Sequence, residues 1–248
     1  MNRIHLPQVN VRYWLAITLA SLFGTNLGDF YAHASGLSLP AGLAVLAAAL
    51  VLVFLFERRD RRSHELYYWL AILVIRTGAT NLADFLNFRA GLPPQVVGWG
   101  LTALLALLAG SMTLRAQHSA SGPVARRLPN TGALYWAAML SAGVLGTVLG
   151  DDASHAFGQG VTAIGLGLLL GALLPLTRWG LASVFVYWCT VGVARTAGTA
   201  MGDWLAERQG LNLGLPLSMF ITGGAFALVL LLWHGSEARR GSQTQVAG

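Results

Sequence analysis

The chain has 248 residues, 55% of them hydrophobic and only 10% charged, with a mean hydropathy of +0.59. A soluble domain carries about 25% charged residues, so the composition excludes an ordinary soluble protein and points to an all-α, polytopic integral membrane protein. The formal net charge is +6, and all 16 basic residues are arginine. They lie in short runs between apolar segments, the pattern that writes membrane topology, and no nucleic-acid motif accompanies them.

Crossing a hydrocarbon layer of about 30 Å takes about 20 apolar residues in a helix. The first such stretch follows Arg3 and Arg12 and runs into "AHA" at 32–34, which resembles a signal peptide. It holds Asn26 and Asp29, however, and its pattern recurs three times downstream, so it reads as the first membrane helix, 12–34. The others fall at 38–56, 66–89, 94–114, 132–157, 160–176, 180–207 and 214–234. Eight spans place both termini on one side.

Arginine sets the orientation. Arg3, Arg12, Arg58, Arg59, Arg61, Arg62, Arg115, Arg126, Arg127, Arg178, Arg239 and Arg240 fall at the termini or in the loops after the even-numbered segments. Arg89 and Arg208 lie on the other side, so both termini are expected in the cytoplasm, as in a multi-pass protein of a bacterial inner membrane. The stretch "RAQHSASGPVARR" at 115–127 is the one long connection. The expected organisation is a first half over 1–114, a linker over 115–131, a second half over 132–236 and a flexible tail over 237–248.

Internal repetition carries the most information. Four copies align on an acid: "YWLAITLASLFGTNLGDFYAHASG" from Tyr13, "YWLAILVIRTGATNLADFLNFRAG" from Tyr68, "YWAAMLSAGVLGTVLGDDASHAFG" from Tyr135 and "YWCTVGVARTAGTAMGDWLAERQG" from Tyr187. In each, Trp stands 15 residues before the aspartate, Thr four before it and Gly seven after it. Each unit reads as helix, glycine turn, helix, in the same orientation, so the four two-helix repeats are related by an axis along the membrane normal. Segments one, three, five and seven are then expected to form an inner group, with the more apolar even-numbered segments facing lipid.

These marks, an aromatic start, a Gly-Thr-x-x-small-Asp core and four copies, resemble a bacterial family of uncharacterised membrane-anchored proteins built from a tandem repeat of unknown function. The resemblance spans about residues 11–234 and implies a divergent member, since the family's repeat carries Glu where this chain has Thr25, Thr80, Thr147 or Thr199. It implies no activity.

Small residues stand five and one before every aspartate: Gly24 and Gly28, Ala79 and Ala83, Gly146 and Gly150, Gly198 and Gly202. That spacing lets helix backbones approach closely in lipid. Close packing does not require an acid, and ionisable groups inside a membrane normally face a bundle interior or mark a path for ions. Asp29, Asp84, Asp151 and Asp203 therefore form the candidate ion-binding set, with Thr25, Thr80, Thr147 and Thr199 one turn away on the same face. Asn26, Asn81 and the mid-helix Arg76 and Arg195 complete it, and the two arginines are expected to pair with the repeat aspartates. His33 and His155 follow their acids by four residues and, with Asp152, are candidate metal ligands.

The single cysteine, Cys189, builds no disulfide or thiolate cluster within one chain. Neither glycine-rich stretch, 165–171 or 222–226, follows a strand, so phosphate-loop readings fail. No catalytic constellation is visible, and neither an enzyme nor a cofactor is expected. The expected function is carriage of a small ion, a cation or divalent metal, with proton coupling as one option. The alternative is a non-transporting scaffold or sensor whose Asp, Thr and Arg groups are structural. The expected partners are the lipid bilayer and a small ion or solute, and a homo-oligomer is compatible with the sequence.

Overall fold

The computed structural model describes residues 7–60, 65–119, 131–178 and 183–246, with the side chains of 116–119, 176–178 and 234–246 left aside. The linker stretch 120–130 and the arginines Arg3, Arg61, Arg62, Arg126 and Arg127 lie outside the described residues.

Eight helices make up the described chain: α1 (Val11–Ala34), α2 (Leu39–Arg59), α3 (Glu65–Asp84), α4 (Pro94–Ser119), α5 (Ala133–Phe157), α6 (Gln159–Arg178), α7 (Val184–Ala206) and α8 (Leu215–Val246). Polar caps begin two of the inner helices. Asn10 accepts from Tyr13 N at 3.1 Å, and Ser183 accepts from Val186 N at 3.2 Å, each satisfying a donor that the first turn leaves open. A five-residue π-helical stretch, Phe85–Arg89, continues α3 beyond Asp84. Helix α8 runs on to Val246.

The first three hairpins turn on glycines with positive φ: Gly36 (65°), Gly91 (64°) and Gly158 (85°). The fourth departs from the repeat. Helix α7 stops at Ala206, and the turn runs on to Asn212 (φ 54°) and Gly214 (φ 75°). Gly210 serves there by close approach instead, since a Cβ on it would stand 1.9 Å from the Trp204 carbonyl oxygen.

Helices α1, α3, α5 and α7 form a closed ring in that order, each packed on its two neighbours, and they hold most of the buried residues. The outer helices cover the ring with a one-step offset. Helix α2 packs on α3, α4 on α5, α6 on α7 and α8 on α1, so each hairpin's second helix lies chiefly on the next copy's first helix. The last hairpin thereby closes on the first. Outward positions such as Leu52, Phe56, Leu107, Leu168, Phe220 and Leu231 are exposed and apolar.

Close approach within the ring follows one rule. The small residue five before each aspartate faces the residue eight before the aspartate of the next copy. A Cβ on Gly24 would meet Arg76 Cγ at 2.5 Å, one on Gly146 would meet Arg195 Cβ at 2.6 Å, and one on Gly198 would meet Ser21 Cβ at 2.3 Å. In the remaining pair the register is the same, with Gly143 against Ala79.

Among the described residues five helical segments are long and apolar enough to cross a membrane: Leu39–Arg59, Glu65–Arg89, Pro94–Arg115, Ala133–Phe157 and Leu215–Trp233. Helices α1 and α7 are long enough, at 24 and 23 residues, but they carry their polar groups on the buried face, which lowers their hydropathy.

Candidate functional site

Tyr, Thr and Asp of each copy are spaced by twelve and then four residues, so they lie on one i±4 ridge of the helix. Four such ridges meet at the centre of the ring and stack the axis in layers about 24 Å deep from Tyr to Asp.

At one end the four tyrosine hydroxyls close a square. Tyr13 to Tyr68 is 2.8 Å, Tyr68 to Tyr135 is 2.6 Å, Tyr135 to Tyr187 is 2.8 Å and Tyr187 to Tyr13 is 2.6 Å. All four rings are buried, and each stacks edge-on against the tryptophan that follows it in the chain. Each hydroxyl can donate to one neighbour and accept from the other, so the square satisfies itself with no outside partner. Trp14, Trp69 and Trp188 are buried with it, and only Trp136 is half-exposed. These Tyr-Trp pairs, which the sequence marked simply as the start of each copy, form the lower core.

The middle of the axis belongs to two arginines on opposite helices, both fully buried. Arg76 reaches toward the aspartate end. Its Nη2 donates to Thr25 Oγ1 at 2.5 Å and Thr199 Oγ1 at 2.6 Å, and its Nη1 donates to Thr147 Oγ1 at 2.9 Å, Thr80 Oγ1 at 3.2 Å and the Gly143 carbonyl at 3.5 Å. All four repeat threonines therefore grip one guanidinium. Three of the hydroxyls send their own protons back down the helix, Thr25 to Ser21 O, Thr147 to Gly143 O and Thr199 to Arg195 O, which leaves their lone pairs facing the arginine. Arg195 has poorer company: Nη1 donates to Ser21 Oγ at 3.2 Å, and Nη2 to the thioether Sδ of Met139 at 3.2 Å.

The expected arginine–aspartate pairing is replaced by these contacts. Eight residues separate each arginine from its own aspartate, and the threonine layer lies between, so the guanidinium of Arg76 meets hydroxyls first. Arg76 still feels the charges of Asp29, Asp151 and Asp203 at longer range.

The four aspartates lie at the other end, all half-buried, and they interact electrostatically across the ring: Asp29 with Asp84, Asp151 with Asp29 and Asp84, Asp203 with Asp151 and Asp29. Among the described residues none of the four carboxylates has a hydrogen-bond or ion-pair partner. Glu207, which the sequence reading passed over, joins their field from the fourth hairpin and takes a hydrogen bond from Gln159 Nε2. Its signal was available, since it stands four after its acid, where copies one and three have histidine.

The remaining candidates lie off this axis. Asn26 Nδ2 donates to Ser218 Oγ at 2.5 Å and ties α1 to α8, while Asn81 Nδ2 donates to the Gly28 and Thr77 carbonyls at 3.2 and 2.9 Å and ties α3 to α1. His33 is exposed, with Nδ1 2.7 Å from the carbonyl oxygen of Asp29 rather than on its carboxylate, and His155 is exposed as well. Asp152 is half-buried. Among the described residues no three His, Cys, Asp or Glu side chains come together closely enough to hold a metal ion, so the metal reading of His33, His155 and Asp152 gains no support.

The fold and axis define a helical protein of internally repeated hairpins, several of them apolar enough for a membrane. Residues 12–63 and 186–239, the first and last hairpins with their flanks, match the model of the Repeat of Unknown Function (DUF347). At these two regions the chain is similar to that repeat. No curated protein and no solved structure matches it.

Proposed function

We propose that the chain is an eight-span carrier for a small, partly hydrated cation in a bacterial inner membrane, with both termini cytoplasmic and the aspartate end outward. The observation that carries this reading is the convergence of Asp29, Asp84, Asp151 and Asp203 at one end of the axis, where among the described residues their carboxylates have no hydrogen-bond or ion-pair partner. Carboxylates are hard oxygen ligands for such ions, and because they bind cations in the deprotonated form, uptake would compete with protons. Arg76, held by the four threonines, supplies positive charge within the axis while the acids are empty. The tyrosine square closes the opposite end, as an outward-facing state requires.

The test is ion uptake in proteoliposomes, with sodium, potassium, magnesium and manganese as separate arms, comparing the wild type with Asp29→Asn and Asp151→Asn. We expect flux of one ion, reduced at least tenfold in both variants. Equal flux in all three proteins for every ion would end the carrier reading.

A scaffold or sensor is the second reading, favoured by the satisfied interior of the tyrosine square and the Arg76 grip. Interhelical hydrogen bonds of this kind average about 0.6 kcal/mol in membranes and hold a bundle without any path. Variants that lower thermal stability in a protein without measurable flux would favour it.

A further inference from the structure

Arg195 is 0% exposed, yet among the described residues its five N–H donors meet one oxygen, Ser21 Oγ, and one thioether, Met139 Sδ. A thioether is a weak acceptor, and an arginine inside a protein keeps its proton. Its Nε has no partner, and among the described residues no carboxylate pairs with it. The other charge beside it is the guanidinium of Arg76, which repels it. Buried charges persist where they are paired, so Arg195 needs an anion.

We propose that the protein holds one small monovalent anion of the halide type against Arg195, on the axis between that guanidinium and the tyrosine square. The recognising groups are the Nε and Nη donors of Arg195, the hydroxyl of Ser21 and a tyrosine hydroxyl turned out of the square. Arg195 is within electrostatic reach of all four tyrosines, which places the square on its side of the axis. The wall selects the class. Ile17, Ile72, Met139 and Val191 stand twelve before the four aspartates, between the tyrosines and Arg195 in register, and all are fully buried. An apolar lining of that kind admits a weakly hydrated monovalent ion and penalises sulfate or phosphate, whose desolvation it cannot repay. Arg76 competes less, because its Nη atoms already face five oxygen acceptors and only its Nε is without a partner. This site goes beyond cation carriage and stands whether or not the protein transports.

The experiment is a thermal melt of the full-length protein in detergent, followed by tryptophan fluorescence, with sodium chloride, bromide or iodide titrated against sodium gluconate and sodium sulfate at constant ionic strength. A ligand that binds only the folded state raises Tm in a saturable way. We expect a saturable rise of several degrees with the halides, only the non-saturating change of surface exclusion with gluconate or sulfate, a smaller saturable rise in Arg195→Lys and none in Arg195→Met. Equal Tm in chloride and gluconate for the wild type, or an undiminished halide effect in a folded Arg195→Met, would overturn the proposal. Should Arg195→Met fail to fold, an anomalous difference map of wild-type crystals grown in iodide decides: a peak beside Arg195 supports the site, and its absence there overturns it.

Discussion

Thr199 on α7 accepts a hydrogen bond of 2.6 Å from Arg76 on α3, although the two helices are diagonal in the ring and do not pack on each other closely. The guanidinium is what joins them. With Thr25 on the same nitrogen and Thr80 and Thr147 on the other, one side chain links all four inner helices at a single level.

That linkage predicts a graded response. Thr25→Val or Thr199→Val leaves a buried charged donor with one acceptor fewer and should cost about 1–3 kcal/mol, whereas Thr→Ser at either position keeps the hydroxyl and should cost less. Combining Thr199→Val with Arg76→Gln should be far from additive, because both changes break the same contact. Unfolding in mixed micelles measures this, and additive losses would mean that the grip contributes nothing.

The tyrosine square predicts near-equivalence of four distant positions. Each Tyr→Phe change at 13, 68, 135 or 187 removes the hydroxyl from two of the four contacts, so the four single variants should lose similar stability, about 1–3 kcal/mol. Pairs of such changes should cost less than the sum of the singles, since the first break already opens the square. Thermal melts of the four singles and two doubles check both statements.

Glycine contacts separate the tight seams from the loose positions. Gly198→Ala places a Cβ 2.3 Å from Ser21 Cβ, with backbone atoms close behind, and should destabilise by about 1–3 kcal/mol through forced separation of α7 and α1. A Cβ on Gly192 or Gly224 would meet nothing within 4 Å, so alanine there should be neutral or slightly stabilising. Similar Tm values for all three variants would contradict the seam.

The offset packing of the outer helices predicts how the chain can be cut. A break in the loop between α4 and α5 leaves each half with unmatched faces that only the other half fills: α4 must find α5, and α8 must find α1. Co-expressed fragments 1–125 and 126–248 should therefore copurify and give the melt of the intact chain, while a chain ending at residue 213 should lose the fold. Copurification is read from a tag on one fragment.

Much of this arrangement was legible in the repeat. Helix positions, the small-residue seam and the convergence of the acids all follow from residues recurring at fixed spacing. The partners of the arginines were less so, because Coulombic reasoning alone sends Arg76 to an aspartate, whereas side-chain length and the intervening threonines decide the contact. Tyr13, Tyr68, Tyr135 and Tyr187 could have been placed on the axis, since a spacing of sixteen from the acid continues the same ridge as Thr and Asp. The one-step offset of the outer helices had no sequence signal: α2, α4, α6 and α8 are apolar around most of their circumference, so their pattern names no preferred neighbour.

Stacked repeats in open solenoids expose two ends and tolerate gain or loss of units. Here α8 covers α1, so no end is left over. Loss of one hairpin from this chain would therefore strip cover from a neighbouring unit and open the ring, rather than simply shorten a stack.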